Sequence, residues 1–342
     1  SMLEGNILNY DPGVIPEMFA RYGSMISDGL DTQIPFKKGT EVFGIHSYHV
    51  GFSDSQGNKI DPTVYMGKCL RPTLCLFVCD ALGGDVRQCV EAAVSLELIH
   101  NFSLIHDDIQ DKDIERRHRE TVWHLWGIPK ALVSGNALHT VGDMSTSTNG
   151  FEINASRHNI GLSKLLTNAY MKMIIGQCED LSFETKNDVT IEMYLRMIEG
   201  KTGALIQSSI MMGALSATKD IDKTQAFEEI GFLLGQAFQI RDDYLGVWGN
   251  PTITGKPIGG DIFRKKKTYP VIYGFANASE LSKQRLDELY AKTDLSDADV
   301  LSIMSILEDT GSEESTLEFI KEISGRAKRN IRKLNFPEWA RI

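Results

Sequence analysis

Ser103-Leu-Ile-His-Asp-Asp-Ile-Gln-Asp111 decides the reading of this chain, together with Phe238-Gln-Ile-Arg-Asp-Asp-Tyr-Leu-Gly246 far downstream. Both lie in sequence with helical periodicity, where Asp107 and Asp111 are i, i+4 neighbours on one face. A single Asp-Asp-x-x-Asp decorates many solvated helix faces and carries little weight alone. Two such clusters, brought opposite one another, would hold hard divalent cations through oxygen ligands, as Mg²⁺ bound to a diphosphate requires.

Working outward, helical signal covers most of the 342 residues. Val90, Ala93, Val94 and Leu98 form an i, i+3, i+4, i+8 stripe, and the pattern runs unbroken from Val86 to Ile114. Comparable segments are Pro72–Leu82, Ile160–Cys178, Ile191–Ile198, Gly203–Ala217, Thr224–Val247, Ser279–Ala291, Asp297–Leu307 and Glu314–Leu334. Tyr48–Gly51 and Gly57–Ile60 offer at most a small hairpin or loop. Breaks fall at Gly51–Asp61, Ser145–Asn159 and Gly249–Gly260, too short for interdomain linkers. The expectation is one all-α domain over 1–342, with a motif-bearing core at about 67–270, an extension at 1–66 and C-terminal helices at 279–342.

A hydrophobic share of 42% permits a large core, and a net charge of −10 argues against general nucleic-acid binding. Apolar runs fall short of a membrane span, and no signal-peptide pattern opens the chain. Cys69, Cys75, Cys79, Cys89 and Cys178 are scattered and read as free thiols in a reducing compartment, so a cytoplasmic location is expected. Cys75 and Cys79 share a helical face, but two soft ligands do not make a zinc site. The basic run Arg326, Lys328, Arg329, Arg332 and Lys333 reads as a solvated final helix.

The acids have basic company. Gly67-Lys-Cys-Leu-Arg-Pro72 places Lys68 and Arg71 before a helix. Arg116 and Arg117 follow Asp111 closely, and on a helix they would point about 100° apart, each toward a different anion. Lys201 and Thr202 stand in Gly200-Lys-Thr-Gly203, which lacks the spacing of a phosphate-binding loop and the strand that should precede it. Lys256 and Lys266 lie between Gly255 and Thr268.

In this order the residues resemble the trans-isoprenyl diphosphate synthases, most closely the geranylgeranyl diphosphate synthases. The evidence is Gly67–Pro72, His100, the Asp107–Asp111 motif, Arg116-Arg117, Gln177 with Asp180, Lys201-Thr202, Gln239 with Asp242-Asp243, and Lys256. The resemblance implies a helical bundle of the isoprenoid synthase type with a central active-site cavity, acting as a homodimer. It implies three Mg²⁺ ions, replaceable by Mn²⁺, held by Asp107, Asp111 and Asp242, with Asp108 and Asp243 supporting or binding through water. Arg116, Lys201, Lys256 and Lys266 would contact an allylic diphosphate. Lys68, Arg71, His100 and Arg117 would bind isopentenyl diphosphate without metal, and the Thr202 hydroxyl and Gln239 carbonyl would face the cation formed on ionisation. A class I terpene cyclase would not need the second diphosphate subsite, and a non-catalytic synthase subunit would show more eroded acidic motifs.

The chain departs from the family pattern at four places. Gly246 replaces a third aspartate and cannot bind metal, though it could mark the end of its helix. His118-Arg-Glu-Thr121 replaces Gly-x-Pro-Thr, Gly135-Asn136 stands for Gly-Asp, and Ser145–Asn159 is polar where relatives continue a helix, so a mobile loop is expected. Phe102 lies about 7.5 Å deeper than Asp107 at about 1.5 Å per residue. The resemblance implies a prenyl tunnel along this helix, with Phe102 as its floor or else an ordinary core residue. An aromatic there beside small Ser103 resembles the geranylgeranyl makers, with farnesyl or longer products as alternatives.

Overall fold

The computed structural model describes residues 17–34, 40–147, 157–254 and 258–337. They form an all-α protein. Its principal helices are α1 (Glu17–Gln33), α2 (Glu41–Val50), α3 (Leu70–Ala81), α4 (Val86–Asp111), α5 (Ile128–Ser147), α6 (Arg157–Phe183), α7 (Ile191–Ile198), α8 (Ala204–Thr218) and α9 (Glu228–Trp248). After them come α10 (Tyr269–Asn277), α11 (Glu280–Tyr290), α12 (Asp297–Asp309) and α13 (Ser312–Arg332). Sheet among the described residues is confined to β1 (Glu115–Arg116), β2 (Arg119–Glu120) and a bridge between Ser53 and Lys59.

The chain divides into two compact units. One contains Pro16–Tyr170 and Leu205–Glu228 and is centred on α4, which packs most extensively on α5 and then on α3 and α1. Asp85 caps α4 by accepting from the Arg87 amide at 3.0 Å, and Lys112 ends the helix in the left-handed conformation at φ 57°. Between those ends α4 is buried all round from Ala92 through Ile99, as expected of a helix at the centre of a layer rather than on its surface. Leu96, Leu98 and Ile99 are fully buried; each such side chain contributes about 1.5–3 kcal/mol of transfer free energy.

The other unit contains Met171–Ala204 and Glu229–Asn335. In it α13 lays Ile320, Ile323 and Ala327 against Leu233 and Ile240 of α9 and the Tyr269–Ile272 segment of α10. The basic run in α13 follows a solvated helix pattern, with Arg326 paired to Glu229 at 3.0 Å.

Several expectations change. Tyr48–Val50 is the last turn of α2, with Gly51 as its left-handed cap, not a hairpin. The long helix stops at Asp111, so Arg116 and Arg117 are not helical. The polar stretch beginning at Ser145 is helical through Ser147 and again from Arg157, and the expected loop at 148–156 lies outside the described residues. Helix α9 passes through Gly246 and ends two residues later, so the glycine does not terminate it.

Candidate active site

The acidic end of α4 splits its three aspartates by environment. Asp107 and Asp111 face outward to different degrees, whereas Asp108 is 2% exposed. The Arg116 guanidinium clamps Asp108 through Nε, at 3.0 and 3.1 Å to the two carboxylate oxygens, and through Nη2 at 2.8 Å. Burial still raises the Asp108 pKa against the pull of Arg116. Arg116 stays charged because Asp108 and its acidic neighbours outweigh burial.

Arg116 and Arg117 reach their places through a hairpin. β1 and β2 pair Arg116 with Arg119, and the two-residue turn Arg117-His118 takes φ 52° and 63°. Two positive φ angles match the twist of a tight hairpin, but side-chain-bearing residues there are strained by about 1–2 kcal/mol each. Arg119 holds the turn in place. It donates to the Tyr48 carbonyl at 2.9 Å and the Ser53 carbonyl at 2.7 Å, and it lies over the Tyr48 and Tyr65 rings at 3.8 and 4.8 Å. Thr121 closes the base by donating to the Asp113 carbonyl at 2.7 Å.

Arg117 lies over Gly67, where a Cβ would meet its Nη2 at 2.5 Å, and still feels the Asp108 carboxylate. The two guanidiniums thus have different immediate neighbours, Asp108 for Arg116 and Gly67 for Arg117, set by a turn rather than by helical rotation. Beside it, Arg71 is half-buried, its Nε sealed from solvent with no hydrogen-bond partner among the described residues, and desolvation pulls its pKa down to about 10. Burial, reinforced by Arg71 and Arg117, holds His100 well below the ordinary histidine value. The buried acid Glu97, 3% exposed, accepts from Asn101 at 3.0 Å and attracts Arg71 and Arg117. With Lys68 in the adjoining loop, cations outnumber Glu97 at this spot, the electrostatic character of an anion subsite. Asp107, Asp111 and Lys68 each have further interactions in the folded chain.

In the second unit, Lys201 and Thr202 lie in a π-helical turn, Glu199–Gly203. Such one-turn bulges mark functional sites in many helices. Two close approaches accommodate it: Gly176 meets the Lys201 backbone and Gly235 meets Gly203, where Cβ atoms would fall at 2.4 and 2.8 Å. The Lys201 ammonium pairs with Asp180. The Thr202 hydroxyl donates to the Gln239 carbonyl oxygen at 2.8 Å, and the Gln239 amide donates to Asp243 at 2.9 Å. Asp243 is fully buried and also accepts from the Tyr194 hydroxyl and, at 3.3 Å, from the Tyr269 amide. Burial pushes the Asp243 pKa up to about 7 in spite of these donors. Its neighbour Asp242 is only partly buried. Lys266 is kept charged against burial by Asp261, Asp243, Asp242 and Asp180. Lys256 lies outside the described residues.

Among the described residues no three histidine, cysteine or carboxylate groups converge on one metal position. The donor set nevertheless fits Mg²⁺, which keeps waters and takes one or two carboxylates plus substrate phosphates rather than an all-protein cage. Phe102 is 7% exposed and packs edge-on against His139 at 4.8 Å and His106 at 5.8 Å. The five cysteines are free, four of them buried.

No sequence motif marked Tyr194, Asp261 or His49: Tyr194 donates to Asp243, Asp261 faces Lys266, and His49 lines a cleft with Arg116 and Arg117. The polyprenyl synthetase family model matches residues 59–307. Over 270 residues the chain is 37% identical to a (2E,6E)-farnesyl diphosphate synthase of Mycobacterium tuberculosis, covering 78% of this chain and 73% of that one. A geranylgeranyl diphosphate synthase of the same organism is 38% identical over 237 residues, 69% and 66% of the two chains. The crystal structure of a polyprenyl synthetase from Streptomyces coelicolor A3(2) superposes with a TM-score of 0.87 at 30% identity, covering 96% of each chain. The chain belongs to the polyprenyl synthetase family and has its all-α fold. It is a trans-prenyltransferase.

Proposed function

We propose that the chain acts as one synthase domain that condenses isopentenyl diphosphate with a dimethylallyl, geranyl or farnesyl diphosphate, forming chiefly geranylgeranyl diphosphate. The observation that carries this reading is the different company of Arg116 and Arg117: one is locked to the acidic helix end, the other lies on Gly67 near half-buried Arg71 and His100. That arrangement supports two diphosphates in different company, one beside carboxylates and one among cations alone.

Asp107, Asp111 and Asp242 would hold Mg²⁺, three ions in all and replaceable by Mn²⁺, with Asp108 and Asp243 behind them. Bound there, Mg²⁺ neutralises charge on the leaving diphosphate. Arg116, Lys201, Lys266 and Lys256 stabilise the same departing oxygens. The allylic C1–O bond breaks with its electron pair going to the diphosphate. The alkene of isopentenyl diphosphate, oriented by Lys68, Arg71, His100 and Arg117, then forms the new carbon–carbon bond to C1. A proton leaves to the released diphosphate. Thr202 and Gln239 direct oxygen dipoles at the passing positive charge, and Asp243 with Tyr194 keeps Gln239 in place.

Phe102, wedged by His139, is the tunnel floor in this reading. A homodimer is supported by the apolar face that Leu132, Val133 and Met144 expose on α5. No helix among the described residues is long and apolar enough to cross a membrane, and a cytoplasmic enzyme is proposed. The test is product analysis with Mg²⁺, isopentenyl diphosphate and each of the three primers. A twenty-carbon product from all three supports the reading; a main product of another length overturns the chain-length assignment, and no condensation overturns the activity.

A further inference from the structure

His49 sits at the last turn of α2, and its Nε2 is sealed from solvent with no hydrogen-bond partner among the described residues. A buried polar atom left unpaired costs about 1–3 kcal/mol, so a ligand oxygen that meets it recovers that loss. The ring lines one cleft with Arg116, Arg117 and Arg119, at the foot of the hairpin. His49 and His100 lie close enough to influence one another, and both share that cleft's surroundings with Arg117 and Arg116. Burial, reinforced by these arginines, holds His49 well below the ordinary histidine value, so it stands there as a neutral imidazole rather than one more repelling cation. A neutral ring can still donate one N–H.

We infer that His49 is a further ligand of the metal-free diphosphate, donating from Nε2 to a diphosphate oxygen beside Arg117. The inference rests on the proposed assignment of that subsite to Lys68, Arg71, His100 and Arg117. The cleft as it stands measures about 20 Å³, close to the room one water needs. A diphosphate therefore enters by lifting the Arg117 guanidinium off Gly67, and it meets the His49 Nε2 and the Arg71 Nε, neither of which has a partner within hydrogen-bond distance among the described residues. The Asn101 side chain, which also interacts with the imidazole, is the group the ligand competes with. Asp108 takes no part, since Arg116 already occupies both its oxygens.

The experiment compares His49→Phe, which keeps a ring and removes the donor, with His49→Gln, which restores an N–H at similar reach. Steady-state kinetics should show KM for isopentenyl diphosphate raised about 10- to 100-fold in the Phe variant, the loss expected for one hydrogen bond to a charged group. KM for the allylic substrate and kcat should stay near the parent values, and the Gln variant should recover most of the loss. Calorimetric titration with inorganic pyrophosphate in the presence of a chelator should weaken by a similar factor, and it serves as the readout for the Gln variant should the Phe variant not fold. An unchanged KM, or equal rises for both substrates, overturns the inference. Arg117→Ala separates the two levels of the argument: if it raises KM for isopentenyl diphosphate and His49→Phe does not, only His49's role fails, and if neither does, the subsite assignment fails.

Discussion

Restoring the family's third aspartate at position 246 should harm this protein rather than improve it. Gly246 is buried in α9, and a Cβ there would stand 1.9 Å from Oδ2 and 2.4 Å from Cγ of Asp261, where 3.4 Å begins ordinary contact. The whole Asp261 carboxyl would have to withdraw by more than an ångström. It is 4% exposed, held by Arg264 at 3.1 Å and drawn to Lys266, so it has little room to yield. Overpacking of this kind costs about 1–3 kcal/mol. For Gly246→Ala the gain in helix propensity, about 1 kcal/mol, offsets part of it. Gly246→Asp adds a second carboxylate beside the first, a repulsion of about 4 kcal/mol at 4 Å and an effective dielectric of 20 before protonation or rearrangement relieves it.

The expected order of stability is therefore parent, then Ala, then Asp, with Gly246→Asp lower than the parent by about 3–5 kcal/mol. Urea unfolding followed by circular dichroism, with the slopes compared across variants, measures this. The decisive comparison is a double-mutant cycle with Asp261→Ala: removing the carboxylate should return about 2 kcal/mol or more of the Gly246→Asp loss beyond additivity. A Gly246→Asp protein as stable as the parent, or two strictly additive substitutions, would refute the reasoning. The same contact leaves no room for an aspartate at the end of the second motif: the Asp261 carboxylate already occupies that space.

Three further outcomes follow from the site. Asp243 has a folded pKa of about 7 against an ordinary value of 3.8, so the folded state binds the extra proton between these limits. Its contribution to stability is therefore fully present below about pH 4 and is lost as pH rises to about 7; the parent-minus-Asp243→Asn stability difference should fall across that window and level off above it, and a flat difference in pH-dependent melting would contradict this. Phe102→Ala should open the proposed floor beside His139 and lengthen the product, which mass spectrometry of the extracted prenyl diphosphates reads directly; an unchanged distribution removes Phe102 from that role. Arg119→Ala severs two carbonyl contacts and two ring contacts and should free the strained hairpin, costing about 2 kcal/mol locally. Amide exchange at 113–121 should accelerate and KM should rise for both diphosphates, whereas intact protection there would show that Arg119 does not hold the turn.

The fold class and the motif positions were legible because they rest on local periodicity and on residue type. Helix α5 was not, although it is long and packs on α4. Its inward stripe is Ala131, Ser134, Gly135, Leu138, Gly142 and Ser145, small residues that let two helices approach closely but carry almost no hydrophobic signal. The hairpin was hidden for a related reason. Arg117-His118 has none of the Asn-Gly chemistry that announces a tight turn, and its positive φ angles are imposed from outside by Arg119 and the tyrosines. The π turn at Lys201 depends on Gly176 and Gly235, each ordinary where it stands and meaningful only once packed against residues 201 and 203. In all three places the sequence names the chemical group, and a distant partner sets its direction. A motif can thus propose Asp107 or Lys201 for a reaction. Which aspartate is committed to an arginine, or which glycine has ceded its place to another residue's carboxylate, is decided by long-range contacts such as Arg116–Asp108 and Gly246–Asp261.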